Sequence, residues 1–332
     1  MSLPVIDLEA PPNSVAAQMR AACTAHGFFY VANHGVDLTL VTRVSSLARA
    51  FFALPEAEKM AIAMEKGGIA WRGYFPVGGE LTSGAPDLKE GLYFGEELPD
   101  EDPRVQRGTP LHGRNLFPTF PGSVPLRDAV LDTMRAHTTL GHRVCSGLAQ
   151  SLGLPADYLS QHYTQTPTVL FRIFHYPPCS TPLAATQEHA QPEAWGVGEH
   201  TDYGLLTLLS QDDVGGLEVR TSRGWLAAPP QEGTFVCNIG DMLERMTGGL
   251  YRSTPHRVRS HPSRSRLSLP FFFDPGWDAR VLPIESPRTD AEEQNRRARW
   301  DGASVFDFGG TYGEYLLSKV QKVFPELAKQ KL

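Results

Sequence analysis

The stretch Gly198-Glu199-His200-Thr201-Asp202-Tyr203-Gly204-Leu205-Leu206-Thr207-Leu208-Leu209 decides how the rest of this chain is interpreted. It places a histidine and an aspartate two positions apart, directly before an apolar, β-prone run. The pattern predicts that a strand starts at this pair. Side chains at positions i and i+2 of a strand point to the same face, so His200 and Asp202 are expected to converge while Thr201 faces away.

A third ligand is needed, because one imidazole and one carboxylate hold a metal ion only weakly. His256, in Ser253-Thr254-Pro255-His256-Arg257-Val258, is the preferred candidate, and His261 is the alternative. Two histidines and one carboxylate on one face of an octahedron are typical of non-haem Fe(II) oxygenases. A bare His-x-Asp pair is weak on its own, since such pairs arise by chance and a strand histidine is more often structural.

Arg266 and Ser268 strengthen the metal hypothesis. They follow His256 by ten and twelve residues and share one face of the strand predicted over 267–273. A guanidinium fork beside a hydroxyl is well suited to bind a carboxylate, although an arbitrary arginine is more often a surface ion-pair partner. The combination predicts a site for Fe(II) and a dicarboxylic 2-oxoacid.

With these motifs the chain resembles the Fe(II)/2-oxoglutarate-dependent oxygenases of the isopenicillin N synthase-like group. The resemblance covers most of the chain and keeps the order of the family's motifs. The N-terminal motifs are Pro4-Val5-Ile6-Asp7-Leu8, His26-Gly27-Phe28-Phe29-Tyr30-Val31, Asn33-His34-Gly35, Phe51-Phe52-Ala53-Leu54-Pro55, Arg72-Gly73-Tyr74 and Asp87-Leu88-Lys89-Glu90. The C-terminal motifs are Tyr176-Pro177-Pro178, His200-Thr201-Asp202, Asn238-Ile239-Gly240-Asp241, His256-Arg257-Val258 and Arg266-Leu267-Ser268.

The resemblance implies a double-stranded β-helix core of jelly-roll or cupin-like type, mainly β with flanking helices. It implies that His200, Asp202 and His256 bind the iron, and that 2-oxoglutarate and O2 are consumed while succinate and CO2 are released. Arg266 and Ser268 would bind the far carboxylate of 2-oxoglutarate, with help from Tyr176. Relatives often carry an asparagine two residues before that tyrosine, whereas this chain has Phe174, which could contact substrate instead.

The composition is that of an ordinary globular protein. The chain has 332 residues, of which 41% are hydrophobic and 20% charged, and a formal net charge of −6. No basic cluster predicts a nucleic-acid partner, and no apolar run is long enough to cross a membrane. Four widely spaced cysteines without a CxxC pair, and no secretory signal, predict a cytoplasmic protein with reduced thiols. The oligomeric state is not defined by the sequence.

The order of predicted elements indicates three regions of one compact unit. Residues 1–122 combine short strands and helices with a loop-rich stretch over 66–122. Residues 123–280 contain a long amphipathic helix from Leu126 to Leu152 and then several short strands, a rhythm typical of a β-sandwich or barrel. Residues 281–332 form a helical extension, with helices predicted over 290–300 and 311–324.

Several substrate contacts are predicted from position alone. Phe272 has the same strand parity as Arg266 and Ser268, which points it to the site, although core packing explains it equally well. Arg72 and Tyr74 lie in the loop-rich stretch, where they either reach a substrate or pack the loop. Residues 184–198 form a polar insertion that is either a lid or surface decoration.

The predicted function is the oxidation of a small organic molecule by hydroxylation, desaturation or cyclisation. Three alternatives remain. The stretch from His200, with Gln211-Asp212-Asp213-Val214-Gly215-Gly216-Leu217 after it, also resembles the ethylene-forming branch of the family, which would fragment 2-oxoglutarate. A non-catalytic binding protein would lack part of the metal triad, which is His200, Asp202 and His256, or part of the carboxylate clamp, which is Arg266 and Ser268. A zinc hydrolase with the same three metal ligands would leave Arg266 and Ser268 without a role.

Overall fold

Two β-sheets form the centre of the molecule. The computed structural model describes residues 2–82, 84–119, 124–179, 195–284 and 308–324, which contain twelve strands. The strands are β1 Val5–Asp7, β2 Phe28–Ala32, β3 Gly73–Phe75, β4 Glu90–Gly95, β5 Thr168–Tyr176, β6 Trp195–His200, β7 Leu206–Gln211, β8 Leu217–Thr221, β9 Gly224–Ala227, β10 Phe235–Ile239, β11 His256–Arg259 and β12 Arg266–Asp274.

Eight α-helices lie within the described residues, together with two short 3₁₀ helices at Met60–Ile62 and Met64–Ala70. The α-helices are α1 Pro12–Ala25, α2 Leu38–Phe52, α3 Glu56–Lys59, α4 Pro103–Gln106, α5 Val124–Ser151, α6 Tyr158–His162, α7 Asp241–Met246 and α8 Tyr312–Val323. Within this part of the chain, no helix combines the length and apolar character that a bilayer span requires.

The larger sheet has the strand order β1-β2-β10-β7-β12-β5-β4-β3, and the smaller sheet has the order β6-β11-β8-β9. All pairings are antiparallel except that between β1 and β2. Together with the flanking helices, the two sheets confirm the predicted double-stranded β-helix core, in which two mainly antiparallel sheets enclose one site.

The long helix α5 backs the larger sheet, as its sequence predicts. Its buried residues Val130, Met134, Val144 and Leu148 recur at helical spacing, so one stripe of the helix is apolar and packs into the core. Asp37 caps α2 through a hydrogen bond from the Thr39 amide. α1 begins at Pro12 without a side-chain cap, and the proline at its first turn has no N–H to satisfy.

The stretch 66–122 is less irregular than predicted. It contributes β3 and β4, and β4 pairs with β5 from Glu90↔His175 to Gly95↔Leu170. N-terminal strands therefore extend the larger sheet on both sides, since β2 likewise pairs with β10. The three-region division stays a prediction, and the predicted helix over 290–300 and most of the 184–198 insertion lie outside the described residues.

Candidate active site

His200, Asp202 and His256 come together at one edge of the smaller sheet. Their candidate ligand atoms all lie within 4.8 Å of one another, and no other such group was found in the described part of the chain. Nε2 of His256 is 3.7 Å from Asp202 Oδ1, and Nε2 of His200 is 3.9 Å from the same oxygen. The three side chains therefore surround one point with two nitrogens and one oxygen.

The backbone that achieves this differs from the prediction. His200 ends β6 instead of starting a strand, and Asp202 lies in the loop before β7. The two histidines are direct cross-strand neighbours, His256↔His200, in the β6–β11 pair. Cross-strand pairing and a turn, and not i,i+2 alternation, therefore bring the ligands together. A Cβ at Gly204 would lie 1.6 Å from Asp274 Oδ1, so this turn requires glycine.

Hydrogen bonds fix the orientation of all three side chains. Nδ1 of His200 donates to the Gly198 carbonyl at 2.8 Å, and Nδ1 of His256 donates to the Thr254 carbonyl at 3.2 Å, which leaves the lone pair of each Nε2 available to a metal. Asp202 Oδ2 accepts from Asn238 Nδ2 at 2.7 Å and from the Thr207 hydroxyl. Oδ1 therefore remains for a metal. Thr207 and Asn238 had no role assigned from the sequence.

Burial keeps the two imidazoles neutral. Desolvation lowers the pKa of His200 and lowers that of His256 to about 4. Burial alone would raise the pKa of Asp202, but the two histidines and the hydrogen bonds from Asn238 and Thr207 outweigh burial and lower it. Two neutral imidazoles and one carboxylate are the donor set that Fe(II) requires, so the residues present fit this metal. His261 is not part of the group, and its Nδ1 accepts from the Ser263 and Arg264 amides.

Arg266 lies in the same cavity with most of its guanidinium unpaired. The side chain is 1% exposed, and its Nε and Nη1 have no hydrogen-bond partner among the described residues. Nη2 donates to Gln211 Oε1 at 3.2 Å, and the guanidinium carbon lies 4.8 Å from the centre of the Tyr176 ring. A buried cation whose N–H donors have no acceptor costs free energy unless an anionic ligand pairs with it. Arg266 and its neighbours therefore also fit a bound carboxylate.

Ser268 and Tyr176 lie beside this guanidinium. The register pairs Arg266 with Tyr176 and Ser268 with Phe174 across β12 and β5. The Ser268 and Tyr176 hydroxyls are 3.5 Å apart. Thus the structure brings the three predicted clamp residues together on one face, and it adds Gln211, which the sequence did not single out.

These groups line a cavity of about 140 Å³ between the two sheets. Phe174 and Phe272 both line it, which agrees with their strand parity, and their contact with substrate stays a prediction. Lys89, Arg172 and Glu80 add a charged wall. Arg172 could have been predicted as a cavity residue from the sequence, since it lies four residues before Tyr176 on β5 and so points to the same face of the strand.

Arg72 and Tyr74 are not among the residues that line this cavity, and their contact with substrate stays a prediction. Arg72 donates through Nη1 to Asn115 Oδ1 at 2.8 Å and through Nη2 to the Leu111 carbonyl at 2.7 Å. The Tyr74 hydroxyl donates to Glu90 Oε2 at 2.6 Å. Both side chains are buried and hold the β3–β4 region in place, which is the packing alternative.

Comparisons with known proteins agree with this geometry. Residues 3–120 match the family described as the non-haem dioxygenase in morphine synthesis N-terminal, and residues 167–275 match the 2OG-Fe(II) oxygenase superfamily. A probable iron/ascorbate oxidoreductase of Dictyostelium discoideum is 47% identical over 98% of this chain and 95% of its own length. A 1-aminocyclopropane-1-carboxylate oxidase from the same organism is 36% identical over 99% and 97%.

The fold has solved counterparts. The crystal structure of a full-length Neurospora crassa protein in complex with alpha-KG and thymine has a TM-score of 0.76 and 26% identity to this chain. The match covers 98% of this chain and 96% of the crystallised one.

Proposed function

The chain belongs to the 2OG-Fe(II) oxygenase superfamily, and on that basis we propose that it binds iron through His200, Asp202 and His256 and 2-oxoglutarate through Arg266, Ser268 and Tyr176. It is a non-haem Fe(II)/2-oxoglutarate-dependent dioxygenase that oxidises a small organic molecule. The observation that carries the residue assignment is the unpaired, buried guanidinium of Arg266 in the cavity that also holds the triad.

Each side chain has a defined task in the proposed reaction. When bound, iron and 2-oxoglutarate supply the oxidising chemistry by activating O2 with loss of CO2. The Nδ1 hydrogen bonds of both histidines keep each Nε2 lone pair aimed at the metal, while Asn238 and Thr207 keep Asp202 Oδ1 aimed there. Arg266 holds the distant carboxylate of the 2-oxoacid, and the apolar walls exclude water.

The test is anaerobic and follows the visible charge-transfer band that forms when 2-oxoglutarate chelates protein-bound Fe(II). The wild-type protein should develop the band, and His256→Ala should lose it because a metal ligand is removed. His261→Ala is the matched control, since His261 lies outside the metal group and should leave the band intact. A band that survives His256→Ala but is lost in His261→Ala would show that the third ligand is misassigned.

A second candidate reaction is the oxidation of 1-aminocyclopropane-1-carboxylate with ethylene release. It is favoured by the 36%-identical oxidase of that name and by the sequence around His200. Gas chromatography of the headspace, combined with an assay of succinate, distinguishes the reactions. Oxidation of a substrate with 2-oxoglutarate releases succinate and CO2, whereas fragmentation of 2-oxoglutarate itself yields ethylene and CO2 in place of succinate. Ethylene that requires 1-aminocyclopropane-1-carboxylate and an added two-electron reductant such as ascorbate, but not 2-oxoglutarate, would establish the second candidate.

We also propose a cytoplasmic location. All four cysteines are free thiols, and burial raises the pKa values of Cys23, Cys145 and Cys237. Unpaired, inert thiols are suited to a reducing compartment. Fractionation of cells that express the protein from its own promoter would test this location.

A further inference from the structure

The cavity contains a second buried guanidinium, Arg172, that the reaction with 2-oxoglutarate does not use. Arg172 lies on β5 with the same parity as Phe174 and Tyr176, and all three line the cavity. At about 3.3 Å per residue, its Cα is roughly 13 Å along the strand from that of Tyr176, at the clamp. This distance places Arg172 away from the clamp, so it does not share the far carboxylate of 2-oxoglutarate with Arg266.

The hydrogen-bonding capacity of Arg172 is only partly used. Nη1 donates to the Phe94 carbonyl at 3.1 Å and to the Phe171 carbonyl at 3.5 Å, and Cζ lies 3.5 Å from the centre of the Tyr93 ring. No carboxylate of the described residues forms an ion pair with it. A guanidinium has five N–H donors, so donors remain for a ligand while Tyr93 and Phe94 fix the plane of the fork.

Lys89 shows the opposite arrangement in the same wall. Its ammonium is 2.8 Å from Glu80 Oε2 and also bonds Asp87. Burial alone would lower the pKa of Lys89, but these carboxylates outweigh burial and raise it, whereas burial dominates at Arg172 and lowers its pKa. Lys89 is already neutralised by carboxylates in direct contact, whereas Glu80 and Asp274 act on Arg172 only from beyond ion-pair distance. Because Arg172 has no ion-pair partner among the described residues, it is the cation available to a substrate.

We propose that Arg172 binds a carboxylate of the substrate, so that the substrates of this enzyme are small organic acids. The inference rests on the proposed function, since it assumes that Arg266 is occupied by 2-oxoglutarate. The substrate carboxylate would meet the free edge of the Arg172 fork, and the apolar part of the molecule would pack against Phe174 and Phe272. A neutral molecule of the same shape would leave the guanidinium buried and unpaired.

The test measures binding under anaerobic conditions with Fe(II) and saturating 2-oxoglutarate, which keeps Arg266 occupied. The probes are 1-aminocyclopropane-1-carboxylate, butyrate and benzoate, each beside its carboxamide, with thymine as a neutral ring. Isothermal titration calorimetry should show acids binding at least about tenfold more tightly than their amides. Arg172→Gln should weaken acid binding by about 10- to 150-fold, the loss of one charge-assisted bond, and leave amide binding unchanged.

Two controls separate this inference from the proposed function. The Arg172 variants should still form the 2-oxoglutarate band, because Arg172 is remote from the clamp, and Arg172→Lys should keep part of the preference for acids. If the wild-type protein forms no band, the proposed function fails and this inference fails with it. If the band forms but no acid binds, or amides and thymine bind as tightly as acids, only this inference is overturned. If neither variant folds, the comparison of acids with amides on wild-type protein decides.

Discussion

Replacing Arg266 by glutamine should separate affinity for 2-oxoglutarate from stability of the fold. The substitution removes two donors, Nε and Nη1, that have no partner among the described residues. A hydrogen bond to a charged group contributes about 1.5–3 kcal/mol. Nε and Nη1 lie on different edges of the guanidinium, so the loss of one charge-assisted bond to the carboxylate is the minimum effect, and it predicts roughly a 10- to 150-fold higher Kd for 2-oxoglutarate.

The same substitution should cost the ligand-free protein little. The buried guanidinium carries a desolvation penalty that no carboxylate of the described residues offsets, so its removal should change the free energy of unfolding by no more than about 1 kcal/mol. Anaerobic titration of the visible band measures the Kd, and urea unfolding without iron or 2-oxoglutarate measures stability. Arg266→Lys is the control, because a point charge without the fork should give an intermediate Kd. An unchanged Kd in Arg266→Gln would refute the clamp, and a loss of several kcal/mol in the ligand-free protein would refute the unpaired state of the guanidinium.

Three further predictions concern iron binding and the stability of the fold. Asn238→Ala should weaken Fe(II) binding by about 10- to 100-fold because Asp202 Oδ2 loses its amide partner. Competition with a chelator measures the affinity for Fe(II), and an unchanged affinity would contradict the prediction. The folded pKa of His137 is about 4 because of burial, so the unfolded chain binds the extra proton below about pH 6.5 and stability falls on acidification. Relative to wild type, His137→Phe should therefore gain about 2 kcal/mol between about pH 7.5 and about pH 5 in urea unfolding, and a constant difference would count against it. Glu90→Ala should destabilise the fold by about 3–5 kcal/mol because it leaves the buried ammonium of Lys59 without its ion-pair partner. Asp132→Ala, in an exposed ion pair, is the control and should cost less than about 1 kcal/mol. Equal urea midpoints for the two variants would disprove the contrast.

The sequence predicted those parts of the site that depend on residue type and spacing. The triad and clamp residues lie together because each motif is local and each flanking strand has a clear apolar pattern. The mode of convergence was not predictable from i,i+2 alternation, since it depends on the long-range pairing of His256 with His200. Asn238 and Gln211 were missed for the same reason, because their roles arise only when strands distant in sequence become neighbours. Thr207 lies near Asp202 in sequence, but its hydrogen bond depends on the turn between them.

The N-terminal region shows a different limit. β3 and β4 lie among glycines and prolines, so the local pattern favoured a loop, while pairing with β5 overrides that preference. Arg72 and Tyr74 were predicted either to reach a substrate or to pack the loop, and both are buried in the packing around β3 and β4. Chain position alone could not distinguish an arginine at the cavity mouth from one that bonds loop carbonyls behind it.

The position of Asp202 between the two sheets has a consequence for how the protein persists in a cell. The two histidines belong to the smaller sheet, whereas Asp202 is held by Thr207 and Asn238 on β7 and β10 of the larger one. A bound ion is thus a cross-link between the sheets, and mass action gives about 2.7 kcal/mol of stability at a metal concentration about 100 times the Kd. Iron starvation would remove this contribution to the free energy of unfolding, so the rate at which proteases degrade the protein would rise as the iron supply falls.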